Sequence, residues 1–250
     1  MGGFADAQPG EQVLAILGFH KIGGPPAGCV DTWFYVSEAM FSGLLGRLQE
    51  NAWHVIDLQT FLAGLAAPAN LPRRSVLLTF DDGYQSMRQV ALPWLRRFGY
   101  PGVLFVPTDF IGKSNEFDAG VEPPEAICDW DDLRELERQG VSVQSHGASH
   151  RRFSELASAE LEAELRRSKA TLEAGLAKPV EVIAYPFGDG GVSQQAVEGA
   201  LERTGYRAAC LYGGGPNRLP VANPYRLARL AIGPATNLQA VLEREWIRAG

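Results

Sequence analysis

Two aspartates stand side by side in the segment Thr79-Phe80-Asp81-Asp82-Gly83. Adjacent carboxylates repel unless a cation or a shared proton offsets their charge. Gly83 lets the chain reverse directly after them, so both acids can approach one site. A second polar cluster, Ser145-His146-Gly147-Ala148-Ser149-His150, holds two of the chain's 4 histidines. The pair is four residues apart, so one helical turn would place both imidazoles on one face. Two neutral nitrogens with one or two carboxylates make a ligand set for a borderline divalent cation, with positions left open for water and substrate. Without a cation, the same residues read as a plain Asp-Asp-Gly turn and a pair of surface histidines.

Two further pieces carry less on their own. In Ala184-Tyr185-Pro186-Phe187-Gly188, proline holds Tyr185 extended and removes one backbone donor. The backbone N–H of Phe187 is then free to face a site, although the segment also reads as an ordinary strand end. In Gly18-Phe19-His20-Lys21-Ile22, His20 either faces that same site or is a structural histidine. His54, beside Trp53 at the beginning of a strand, receives no functional reading.

The elements that position these residues follow from an alternation. Short β-rich apolar runs occupy 13–19, 55–58, 76–80, 102–107, 141–144, 182–185, 207–212 and 227–232. Helical spacing fills 37–51, 85–98, 130–139, 158–175, 193–204 and 238–248. Ser37 is an expected N-cap, and Leu161, Leu165, Leu172 and Leu176 form one helical stripe. Alternating strands and helices imply an α/β fold with a mostly parallel sheet. About seven to eight strands in this length predict an irregular (β/α) barrel, with residues 1–250 forming one domain. All four polar motifs fall just after strands, which is the face where barrels carry function. No G-x-G-x-x-G follows a strand, so a dinucleotide fold has no support.

Composition narrows the function classes. Hydrophobic residues make up 46% and charged residues 21%, an ordinary globular mixture, and the formal net charge is -6. No basic cluster exists to grip a phosphate backbone, so nucleic acid is excluded as the expected partner. No apolar run is long enough to span a bilayer. The first dozen residues lack the basic end and apolar core of a signal peptide, which predicts a cytoplasmic protein or a trimmed exported form. Cys29, Cys128 and Cys210 are too few and too widely spaced for a disulfide framework or a thiolate zinc motif.

Taken in this order, the four pieces resemble the polysaccharide deacetylase family, also called the NodB homology domain or carbohydrate esterase family 4. The likeness runs from about Ile16 to Ile232 and includes Trp130-Asp131-Asp132-Leu133 upstream of the histidines. The resemblance implies a NodB-like barrel and a divalent metal ion, with zinc the expected one, held by Asp82, His146 and His150. It implies that Asp81 is the general base and that the Phe187 N–H is an oxyanion donor. The implied substrate is an N-acetylated sugar or polysaccharide, with acetate as product.

Two departures bear on that assignment. The family's third motif begins with an arginine that holds the catalytic aspartate, and here that place is Ala184; Arg226 or Arg229 is available to substitute. The family's late catalytic histidine is also missing, since no histidine follows His150. The branch resembling poly-N-acetylglucosamine deacetylases instead carries a Tyr-His-x-Ile-like segment near its start. Phe19-His20-Lys21-Ile22 is similar to that segment, which implies His20 as general acid. Three loops are expected to wall the substrate: 23–35 with Trp33, Phe34 and Tyr35, then 108–129, then 213–224. Two other readings remain open: the same fold acting on an O-acetyl ester or small non-sugar amide, and a catalytically silent carbohydrate-binding module.

Overall fold

The computed structural model describes residues 12–237, so the expected helix at 238–248 lies outside the described residues. The strands are β1 (Gln12–Phe19), β2 (Lys21–Ile22), β3 (Tyr35–Val36), β4 (His54–Val55), β5 (Ser75–Phe80) and β6 (Gly102–Val106). They continue as β7 (Val141–Ser145), β8 (Val182–Ala184), β9 (Ala208–Cys210), β10 (Asn217–Leu219) and β11 (Leu230–Ala231). The helices are α1 (Glu38–Glu50), α2 (Leu58–Ala66), α3 (Leu92–Phe98), α4 (Trp130–Arg138), α5 (Ser158–Leu176) and α6 (Gln194–Thr204).

One sheet runs in the order β10-β1-β5-β6-β7-β8-β9. Its strands are parallel except β10, which pairs antiparallel with β1. The sheet curls into a half-barrel. Its open side is crossed by the chain at 227–231, where Leu227 bridges Cys210 of β9 and Leu230 pairs with Leu17 of β1. The irregular α/β barrel expected from the alternation is therefore the architecture observed.

Side-chain parity explains how the layers form. Successive residues of a strand face opposite sides. Leu14, Ile16, Leu77, Val103, Phe105, Val182, Ala184, Ala208 and Cys210 pack together inside the curl. Their neighbours Ala15, Leu17, Phe19, Val76, Leu78, Phe80, Leu104 and Val143 pack outward against the helices. Burying each large apolar side chain contributes about 1.5–3 kcal/mol, so this two-sided burial is the main stabilising term. α5 docks through Leu161, Leu165 and Leu172, which lie in the outer cluster.

The segment expected as a strand at 55–58 splits. Only His54–Val55 pairs with β5, and Leu58 opens α2. The Asp57 carboxylate accepts from the Thr60 N–H at 2.7 Å and caps that helix. Leu58, Phe61 and Leu62 of α2 join the inner cluster with Leu71, so this helix covers the apolar interior. The expected helix at 85–98 begins instead with a π turn at Met87–Ala91. Pro93 lacks an N–H and its ring crowds the carbonyl four residues back, which the wider turn relieves. Among the described residues, no helix is long and apolar enough to cross a membrane.

Candidate active site

The inward parity of the strands continues past their ends. Gly18 faces inward, so His20 does too; Thr79 leads to Asp81, Gln144 to His146, and Cys210 to Tyr212. Register then brings them level: Phe19 pairs with Phe80, and the Asp81 N–H donates to the Phe19 carbonyl at 2.9 Å. All six expected site residues (His20, Asp81, Asp82, His146, His150 and Phe187) line one cavity of about 300 Å³. Trp33, Phe34, Tyr84, Asp118, Arg152, Gly188 and Tyr212 complete its wall.

At the centre, His146 Nε2 lies 3.2 Å and His150 Nε2 3.1 Å from Asp82 Oδ1. The ligand atoms of this trio all lie within 4.8 Å of one another, and all three residues are buried. His146 Nδ1 is 2.8 Å from the Ala184 carbonyl, which can only accept, so that nitrogen carries the proton. In the neutral ring, Nε2 then presents a lone pair to Asp82 Oδ1, an oxygen with no hydrogen-bond donor of its own. The His146 lone pair and His150 Nε2 converge on a buried, unsatisfied carboxylate oxygen, which a cation between them would satisfy, and the donor set suits a divalent ion of borderline character.

The histidines do not meet through a helical turn, as their spacing suggested. Residues 146–150 form an irregular loop, with Gly147 and His150 in the left-handed region at φ 75° and 56°. Among the described residues, six non-glycine residues have positive φ, and three of them are Asp82, His150 and Phe187. Such conformations cost on the order of 1–3 kcal/mol each and persist only where surrounding contacts impose them. Phe187 sits in a tight turn whose own bonds run from Gly188 N–H to the Tyr185 carbonyl and from Asp189 N–H to the Pro186 carbonyl. That turn leaves the Phe187 N–H unused, and the ring, 46% exposed, lies beside His150 and under the Arg152 guanidinium.

Asp81 lines the same cavity and is held by a residue from the far end of the chain. Arg229, fully buried, donates from Nη1 to Asp81 Oδ1 at 2.6 Å and from Nη2 to Oδ2 at 2.7 Å. Its Nε donates to the Leu211 carbonyl at 2.7 Å, and Nη1 also reaches Thr79 Oγ1 at 3.2 Å. Burial by itself would raise the Asp81 pKa, but the Arg229 cation outweighs it and holds the carboxyl below its ordinary value. Of the two arginines offered for the missing family arginine, Arg229 is the one that meets Asp81. Arg226 is exposed. Gly18 makes room for this arrangement: a Cβ there would come within 2.9 Å of the Tyr212 ring and 3.8 Å of Arg229 Cβ.

His20 Nε2 stands 4.0 Å from Asp81 Oδ2 and 3.9 Å from Asp82 Oδ2. Its Nδ1 is 3.3 Å from the Tyr212 hydroxyl, and its ring packs edge-on against Phe34 and Tyr212. Burial holds this imidazole below its ordinary pKa, against the opposing pull of Asp82 and Asp81. Tyr84, Arg152 and Tyr212 are wall residues that motif reading missed; the signal for Tyr212 was the inward parity of 208 and 210 on β9, continued past the strand to 212.

The expected wall loops divide. Trp33 and Phe34 line the cavity, whereas Tyr35 is buried and donates to Glu125 Oε1 at 2.8 Å. The 108–129 segment contributes Asp118 and is fastened in place: Glu122 Oε2 accepts from buried Lys21 Nζ at 2.8 Å and from the Thr32 hydroxyl at 2.8 Å. The 213–224 segment lines none of this cavity and instead supplies β10, which pairs with β1.

Fold and site together set a buried trio that could hold a metal ion beside a second, separately held carboxylate. Residues 69–209 match the family model for polysaccharide deacetylase, and the chain belongs to that family. The poly-beta-1,6-N-acetyl-D-glucosamine N-deacetylase of Escherichia coli (strain K12) is 30% identical over 107 residues, covering 40% of this chain and 16% of that protein. The enzyme of the same name from Staphylococcus aureus (strain MRSA252) is 24% identical over 164 residues, covering 62% of this chain and 54% of its own length. This chain thus spans only part of the curated relatives it matches. Among solved structures, the Streptococcus pyogenes deacetylase PplD in complex with acetate shares the fold, with a TM-score of 0.80 and 20% identity over 93% of this chain and 98% of that chain.

Proposed function

We propose that this chain removes N-acetyl groups from an N-acetylated sugar or polysaccharide, releasing acetate and leaving a free amine. The observation that carries the reading is the convergence of Asp82 Oδ1 and two imidazole Nε2 atoms beside Asp81, whose two oxygens are oriented by Arg229. The names of the relatives support an amide of an amino sugar as the bond acted on.

In this reading Asp82, His146 and His150 hold a divalent cation, zinc being the expected one. When bound, such an ion supplies Lewis acidity, polarising a carbonyl and acidifying water. Asp81 takes the proton of the attacking water; its carboxylate is kept ionised by Arg229, and so it is a competent acceptor. The Phe187 N–H donates to the carbonyl oxygen as that oxygen gains charge, a contact of a kind worth about 10²–10³ in rate. His20, in the imidazolium form that the neighbouring Asp82 and Asp81 carboxylates favour, hands a proton from Nε2 to the departing nitrogen and is left neutral, a step that typically contributes ~10²–10⁴. Trp33, Phe34 and Phe187 offer the apolar faces on which a sugar ring packs.

The test is acetate release from N-acetylglucosamine oligomers, an O-acetylated sugar and a small acetamide, each with and without chelator. The expected result is release from the N-acetylated oligomers that chelation abolishes and zinc restores. Asp81→Asn should bind one equivalent of zinc and lose most turnover. Release confined to the ester or the small amide, or unaffected by chelation, overturns the reading. No release from any substrate, with zinc bound, assigns the chain to a silent binding module.

A further inference from the structure

α5 runs along the outside of the sheet and docks with leucines, but its buried face also carries two polar residues one turn apart. Glu164 is 7% exposed and Ser168 is fully buried. Neither lines the cavity. Both are spent on the loop between the two histidines. Glu164 Oε1 accepts from the Ala148 N–H at 2.8 Å, from the Ser149 N–H at 2.5 Å and from the Ser149 hydroxyl at 2.8 Å. Ser168 Oγ donates to the Gly147 carbonyl at 2.8 Å and lies 2.8 Å from Ser145 Oγ, which in turn accepts from the Gly147 N–H at 3.1 Å. Arg167 balances the charge, with Nη2 3.3 Å from Glu164 Oε2 and Nη1 bonded to Asp109. The backbone of 108–109 completes the brace: Thr108 N–H donates to Gly147 O and Asp109 N–H to Ala148 O, at 3.2 and 2.9 Å.

A loop of this shape does not hold itself. Its backbone groups bond to α5 and to 108–109, and His150 is kept in the left-handed region, uncommon for residues other than glycine. One carboxylate oxygen gathering two successive amides and a hydroxyl is a charge-assisted cluster, roughly twice as strong per bond as neutral ones. It fixes the three residues between His146 and His150, and with them the direction in which both Nε2 atoms point.

We infer that Glu164 is a positioning residue of the metal centre: by fastening 147–149 to α5, it sets the two histidines at the geometry a cation requires. The inference rests on the metal-site reading above. Removing outer partners of metal ligands typically weakens metal affinity about 10–100-fold. Glu164→Ala is expected to fall in that range, and Glu164→Gln, which keeps an acceptor oxygen without its charge, between Ala and wild type.

The experiment is a zinc titration by calorimetry on chelator-stripped full-length protein, with cobalt(II) absorption as a coordination signature and apo-protein melting measured in parallel. Leu172→Ala, on the same helix but away from the loop, serves as the destabilised control and should melt earlier with wild-type zinc affinity. The expected result is weaker zinc binding and an altered cobalt spectrum in Glu164→Ala well below its melting temperature. Wild-type affinity in folded Glu164→Ala overturns the inference. If that variant does not fold, Glu164→Gln decides, and wild-type affinity there overturns it equally. A wild-type protein that binds no zinc refutes the metal-site reading itself, a distinct result.

Discussion

Asp81 and the His146–His150 loop face each other across one cavity, yet they are held by opposite means. Asp81 depends on a single cation. Arg229 meets both of its oxygens inside a shell that includes the rings of Phe105 and Tyr212, with no water-facing surface. The histidine loop depends on many smaller bonds from Glu164, Ser168 and Ser145, and from the backbone of 108–109. The difference follows from what each holds. A buried charge with few other donors around it leans on its counter-charge, and losing that partner leaves it uncompensated. A backbone loop offers neutral donors and acceptors along its length, and these are met by several partners from α5 and 108–109. The acid side should therefore fail abruptly when one residue is lost, and the histidine side by degrees.

The largest effect expected on the acid side is catalytic. His20→Ala should lower amide turnover by about 10²–10⁴ while leaving zinc content unchanged. On an aryl acetate, whose phenolate leaves without protonation, the loss should be much smaller. Parallel losses on both substrates with a lowered melting temperature would make His20 a structural partner of Tyr212 instead.

Arg229→Met comes next and tests the single-cation claim directly. It leaves the Asp81 carboxylate buried without its partner, and breaking such a pair typically costs about 3–5 kcal/mol, read from urea unfolding of chelator-treated protein. The deficit should also depend on pH. In the wild type the folded-state pKa of Asp81 lies below its unfolded value, so its contribution is present above the unfolded pKa and lost as pH falls through the folded one. In Arg229→Met burial acts alone and favours the protonated acid. The gap between the two proteins should therefore narrow as pH drops below the ordinary carboxylate range. A gap that is constant between neutral and acid pH would mean that Arg229 stabilises through packing, not charge.

The smallest effect belongs to the other side. Ser168→Ala removes two neutral bonds, to Gly147 O and to Ser145 Oγ, from a loop that keeps several others, so about 1–3 kcal/mol should be lost in the same urea assay. A loss as large as that of Arg229→Met would erase the contrast between the two sides.

Some of this was legible from residue order alone. Asp81, Asp82, His146, His150, His20 and Phe187 stand at strand ends in sequence, and strand ends of a parallel barrel converge, so their meeting in one cavity was foreseeable. Tyr212 was within reach of the same argument, because 208, 210 and 212 share one face. α2 was missed because Val55–Leu58 is an apolar run too short to separate strand from helix; the Asp57 cap was the available sign. Glu164 was also hidden in plain view: it occupies the stripe of Leu161, Leu165, Leu172 and Leu176, where a charged residue is out of place on a buried face.

Residue types and their spacing determined the chemistry on offer: two adjacent acids, two histidines four apart, and the period-2 faces that turn His20, Asp81 and His146 inward. Tertiary structure alone decided which arginine meets Asp81. Arg229 reaches it because 227–231 crosses the open side of the half-barrel between β9 and β1, a contact 148 residues apart in the chain. Tertiary structure also decided how the histidines converge, since a loop with left-handed His150 forms only where α5 supplies acceptors and donors for its backbone. Local sequence sets what a residue can bond. Which partner it finds depends on how the sheet closes and where a helix docks, and both are settled by burial summed over the whole chain.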